Sequence, residues 1–167
     1  MTNRSNIIQV YLILIGFFIT GCVSTSMEYR SATTAARSEK NLNKAEEWGL
    51  KALLIEADSL NAHIPYFLAT EVYKPKKDIV KMAEMLDEAI NRNPNQKLER
   101  PIFIDRDNII LTIGEAVKTY RLEEWSKIYN ISVEYFQAEN FELAIKNLEL
   151  AIKIDPSQGE SYGNLAA

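Results

Sequence analysis

The sequence predicts an all-α protein built from repeated antiparallel helix pairs, and three observations carry that prediction. Leu, Ile, Ala, Glu and Lys dominate, whereas only 6 Gly and 5 Pro occur among 167 residues, a balance that favours long helices. One stretch, Ile128–Pro156, recurs upstream in weaker copies, as in a repeat architecture. Within the copies, apolar residues return every three or four positions, which lays them along one face of a helix. With 47% hydrophobic residues, the chain can bury a single core and is not disordered throughout.

Charge and rare residues narrow the function classes. A net charge of −4 without clustered cations argues against nucleic acid as a partner. Cys22 is the sole cysteine and His63 the sole histidine, so an intramolecular disulfide and a thiolate metal site are excluded. Most zinc sites and most histidine-based triads go with them.

The first 21 residues read as an address. Arg4 is their only charge, and an apolar run from Ile7 to Thr20 follows, interrupted by Gln9. That run is too short to span a bilayer comfortably and has the shape of a secretory signal. Ile19-Thr20-Gly21-Cys22 resembles the lipobox of bacterial lipoproteins, which implies cleavage before Cys22 and lipidation of its thiol. Two or three acyl chains give stable anchoring. Val23, where inner-membrane retention usually shows Asp, implies an outer-membrane protein facing the periplasm. Residues 22–27 then form a lipidated tether, and 28–167 the folded domain.

The repeat is sharpest at the C-terminal end. Ile128, Ile131, Ser132, Tyr135, Ala144, Leu148, Ala151 and Pro156 resemble the slots of the tetratricopeptide (TPR) repeat. Small residues at Ser132, Ala144 and Ala151 let two helices approach, and the larger ones fill between them. Asn140 suits a left-handed turn, and Asp155-Pro156 stops the second helix. The resemblance implies a TPR-like α-solenoid with repeats at about 26–59, 63–96 and 125–158, plus a partial one at 159–167. The first copy is weak: Tyr29, Ala32, Thr33, Ala36, Ala45 and Ala52 keep phase, but Gly49 holds a large slot and Ala57 replaces the proline. The second has Tyr66, Ala69, Thr70, Tyr73, Met82, Leu86, Ala89 and Pro94, with Lys74-Pro75-Lys76-Lys77 instead of a short turn. The last, with Tyr162, Leu165 and Ala166 in phase, forms a single capping helix, unless the chain is a fragment of a longer protein.

Residues 97–124 break the period. Arg100–Ile104 is extended by composition, and Asp105 or Asp107 is placed as the N-cap of a following helix. Ile109, Ile113, Ala116, Val117 and Tyr120 mark one face of that helix. It is expected to run to about Ala138 as a rod of roughly 45–50 Å, or to kink near Arg121. The result is a longer inserted helix between the second and third repeats, read either as plain packing or as a docking feature.

No catalytic or metal-binding constellation is legible. Glu46-Glu47, Asp87-Glu88 and Glu123-Glu124 are carboxylate pairs, but neighbours on a helix diverge by about 100° and read as solvated faces. No phosphate loop, nucleophile elbow or zinc-binding helix motif occurs, so the expectation is a non-enzyme without cofactor. The family's inner face, lined by the first helix of each pair, commonly takes a peptide or partner helix. Here that face would carry Phe67, Glu71, Tyr129, Val133 and Phe136. Tyr129 and Val133 stand where carboxylate-clamping relatives use Lys and Asn, so that clamp is not expected. The function expected is a membrane-anchored scaffold binding envelope proteins or peptides, within an envelope assembly complex. Alternatives are a self-associating structural envelope protein and an accessory domain of a larger enzyme or transport component.

Overall fold

A computed structural model describes residues 25–55 and 60–166. The signal-like segment, Cys22 and Ala57 lie outside the described residues. Helices α1 (Met27–Arg37) and α2 (Leu42–Ile55) pack as a pair. Ser26 caps α1, its Oγ accepting from the Tyr29 amide. The pair closes on small residues, since Ala32, Ala35, Ala36, Ala45, Gly49 and Ala52 are all buried. Gly49, weak as a repeat residue, has a reason: a Cβ there would lie 2.5 Å from Cδ2 of Leu68 in the next helix. Leu68 fills the slot from the other side.

The second pair is α3 and α4. Helix α3 runs through His63–Phe67, a π-helical stretch Leu68–Tyr73 and a last turn Lys74–Lys76; α4 is Ile79–Arg92. The π stretch has a cause in Pro75. Proline cannot donate to the carbonyl four residues back and its ring crowds it, and the Lys74 amide just before it bonds Ala69 five residues back. The helix ends at Lys77, which is left-handed, and the Asp78 side chain caps α4. Met82, the departure in an alanine slot, is fully buried beside Leu86 and Ala89.

The insertion differs from the expectation in its first half. Lys97–Phe103 (β1) and Ile109–Thr112 (β2) form an antiparallel hairpin, pairing Ile102 with Ile110 and Phe103 with Ile109. The register is irregular between Lys97 and Ile102. Asp105 is the turn residue of this hairpin and not a helix cap. Its carboxylate accepts from the amides of Asp107 and Asn108, both at 2.9 Å. Ile109 accordingly lies in a strand. The chain is thus mostly helical, with this small sheet added.

Helix α5 (Ile113–Gln137) follows without interruption for 25 residues, about 37 Å, and is not divided at Arg121. It is shorter than expected because it starts at Thr112, not Asp105. Thr112 makes a capping box: its Oγ1 accepts from the Glu115 amide, and Glu115 Oε2 accepts from the Leu111 and Thr112 amides at 3.0 Å. Helices α6 (Phe141–Ile154) and α7 (Gly159–Leu165) complete the chain. The α5–α6 turn has its left-handed residue at Glu139, while Asn140 caps α6 by accepting from the Leu143 amide. Successive pairs touch in order, α2 on α3, α4 on α5 and α6, α6 on α7. Among the described residues no helix is long and apolar enough to cross a membrane.

Candidate functional site

The hairpin lies across the first helices of the leading pairs and encloses a cleft of about 400 Å³. Helix α1 contributes Tyr29 and Arg37; α3 contributes His63, Tyr66, Thr70 and Glu71; α5 contributes Tyr120. Strand β1 brings Leu98, Glu99, Arg100 and Ile102. The strand is pinned at both levels. His63 Nε2 donates to the Lys97 carbonyl (2.7 Å), and its Nδ1 faces the Gln96 amide nitrogen (3.2 Å). A carbonyl only accepts, so Nε2 carries the proton and Nδ1 accepts from Gln96, whose Oε1 is taken by the Ala62 amide at 2.6 Å. His63 is a structural clasp.

Further along, Arg37 grips Glu71 with two parallel bonds of 2.8 and 2.6 Å and reaches Glu99 at 3.4 Å. The Tyr29 hydroxyl donates to the other Glu99 oxygen at 2.9 Å. Burial, then the Glu99 carboxylate, push the Tyr29 phenol well above its ordinary range. The bond to Glu71 holds the Arg37 guanidinium more firmly protonated. Tyr66 meets Tyr120 edge-on at 6.1 Å, and burial, followed by Tyr120, raises the Tyr66 phenol too. Arg100 makes no hydrogen bond or ion pair among the described residues and is exposed. The cleft therefore offers an aromatic and aliphatic wall, a closed ionic knot, and one uncommitted cation.

A second, smaller hollow of about 110 Å³ lies at the other end of α5, between Ser132, Val133, Phe136, Leu148 and Asn164. Phe136 is 54% exposed and meets Phe141 edge-on at 5.4 Å. Beside it, Tyr129 stacks on Trp125 at 5.0 Å, and its hydroxyl accepts from Asn164 (2.8 Å). Trp125 Nε1 in turn donates to Ser161 Oγ at 2.9 Å, which docks α7.

The five residues expected on one inner face are thereby distributed. Phe67 is 2% exposed, held between Tyr29 at 5.6 Å and the Arg37 guanidinium. It is core beneath the face, because Tyr29 and Arg37 cover it. Glu71 lines the cleft, Tyr129 is committed to the aromatic stack, and Val133 and Phe136 line the separate hollow. The hairpin residues Leu98, Glu99, Arg100 and Ile102 were missed. Their signal was Arg100–Ile104 and Ile109–Thr112, two extended runs around the turn-forming Asp105-Arg106-Asp107-Asn108.

Two of the three carboxylate pairs also need correction. In each of these, one member turns inward and ties helices together. Glu124 is only 8% exposed and pairs with Lys74 (3.1 Å) and Lys127 (3.0 Å). Glu46 receives Lys76 and Lys81, and these hold its carboxyl at about 2, below its ordinary 4.5. Asp87 pairs with Arg121 but stays exposed, as expected of a solvated face. Among the described residues no cluster of three or more metal-ligating side chains is present.

Comparison with known families identifies a tetratricopeptide repeat at residues 128–158, which covers the C-terminal part of α5 from Ile128, all of α6 and the turn after it. Such a repeat is a protein–protein interaction module. No curated protein matches the chain.

Proposed function

We propose that this chain is a lipid-anchored scaffold of the bacterial envelope, held to a membrane through Cys22, that binds other proteins or peptides without catalysing a reaction. The observation that carries the recognition half is the cleft beneath the hairpin, built from three helices and a strand around Tyr66, Tyr120 and Arg100. Its volume suits two or three side chains of a peptide segment. Most of its polar groups are satisfied internally, so an entering segment meets rigid walls with little ordering cost. The anchoring half rests on the lipobox-like Ile19–Cys22 and on the short tether before Met27, which would hold the domain near the lipid and facing the periplasm.

Crosslinked pull-down from membranes tests the recognition half, comparing wild type with Arg100→Glu in the cleft and Phe136→Asp in the hollow. Both positions are exposed, so both variants should keep their helical circular dichroism. We expect one partner to disappear with Arg100→Glu and persist with Phe136→Asp; the reverse result moves the recognition site to the hollow. Identical partner sets from all three chains would refute recognition at either place. Palmitate labelling that survives Cys22→Ser would refute the anchor.

A further inference from the structure

The hairpin carries apolar side chains on both faces. Leu98, Ile102 and Ile110 turn toward the helices and are half-buried or buried, whereas Phe103, Ile109 and Leu111 stand on the outward face. Phe103 is 69% exposed, Ile109 42%, Leu111 51%, and Ile104 at the turn 60%. Phe103 and Ile109 sit directly opposite one another in the ladder, so they form one contiguous patch with Leu111. A ribbon with this pattern is suited to cover on both sides.

We propose that the outward face of the hairpin is a self-association surface, on which a second copy of this chain stacks its own hairpin face to face about a two-fold axis. Edge pairing is disfavoured, because β1 contains Pro101, which lacks an N–H, and its register is broken between Lys97 and Ile102. On β2 the Leu111 and Thr112 amides are already taken by Glu115 Oε2 at 3.0 Å, so contact is assigned to the face. A two-fold axis running along the ribbon lays each Phe103 over the mate's Ile109, so the patch complements itself.

The turn supplies matching charges. Arg106 and Asp107 make no ion pair among the described residues, and the same axis brings the Arg106 of one copy toward the Asp107 of the other. Two aspartates at the tip also disfavour an anionic bilayer as the covering surface. The patch is on the order of 300–400 Å² per copy, roughly 600–800 Å² for the pair, which is below the roughly 1,200 Å² total of a stable complex. Association is therefore weak, with a Kd of ~0.1–1 mM, and it is favoured where chains are confined together.

Sedimentation equilibrium of the full chain in density-matched non-ionic detergent, from ~10 μM to ~1 mM around that Kd, tests this. Wild type should shift from monomer to dimer across the series. Phe103→Asp/Ile109→Asp should remain monomeric, and Leu54→Asp, an exposed apolar position on α2, should behave as wild type. Arg106→Asp should weaken the dimer at least threefold, and Arg106→Asp/Asp107→Arg should restore it; this charge swap decides the matter if the apolar double variant loses its circular dichroism. A chain that stays monomeric at the highest concentration overturns the proposal. So does association that survives Phe103→Asp/Ile109→Asp, or a charge swap without recovery. If Phe103→Asp instead alters only liposome retention or capture of a different protein, the face serves that partner and the proposal is likewise overturned.

Discussion

At the scale of single residues, the ionised side chains act mainly as fasteners between helices. Glu46 on α2 receives Lys76 from the end of α3 and Lys81 from α4, so one carboxylate joins the first two helix pairs. Its pKa is lowered to about 2 from 4.5, and a lowered carboxylate stabilises the fold above its unfolded value. That contribution is lost as pH falls from about 4.5 toward about 2. Urea titrations across this window should show a shallower pH dependence for Glu46→Gln than for wild type; identical slopes would contradict the assignment. The tyrosines give the opposite sign. Tyr29, Tyr66 and Tyr73 are raised, chiefly by burial. Their contribution is complete below the unfolded value of 10 and is lost only as pH rises through the folded values. Absorbance at ~295 nm near pH ~11 should therefore count fewer phenolates than the eight tyrosines of the sequence, with the rest appearing on unfolding. All eight ionising while the helical circular dichroism persists would rule this out.

At the scale of elements, local chemistry decides where helices begin and how closely they approach. Thr112→Ala removes the capping-box hydroxyl and should destabilise the protein by about 1 kcal/mol, with faster amide exchange confined to the first turn of α5. Gly49→Leu drives a side chain into the space held by Leu68 and should cost about 1–3 kcal/mol. Adding Leu68→Ala should recover part of that loss, since the two side chains compete for one volume; strict additivity in chemical denaturation would refute the contact. The same contrast explains what could be read from the chain alone. Ala45, Ala52, Ala144 and Ala151 sit at helical spacing and are buried, so the pairs were legible from periodicity. The hairpin was not, because Ile109 and Ile113 fit a helical spacing as well as a strand followed by a helix. Thr112-Ile113-Gly114-Glu115 held the deciding signal, a threonine with glutamate three residues later. The cleft was illegible for a further reason: Arg37, Glu71 and Glu99 lie on three separate elements, and only the folded path of β1 brings them together.

At the scale of the whole molecule, α5 belongs both to the inserted segment and to the tetratricopeptide repeat. Its first half holds Ile113, Ala116 and Val117 in the buried core, and its second half buries Ile128 and Ser132. Lys74 links this helix to α3 through Glu124 and through the Tyr120 ring, 4.4 Å from its ammonium. One transition is therefore expected on chemical denaturation, with far-UV circular dichroism coincident with Trp125 fluorescence read in a Trp48→Phe background. Separate midpoints would show that the repeat and the leading pairs unfold independently.

The unbroken course of α5 also fixes a geometry. Tyr120 in the cleft and Val133 in the hollow are thirteen positions apart on one unbroken helix, about 20 Å along its axis and roughly 140° around it. Two guests, one in each recess, would thus be held at a set spacing and bearing, as by a jig. Lengthening the rod by one residue between them would swing one recess about 100° around the axis, whereas seven residues would move it about 10 Å further off and nearly restore the bearing.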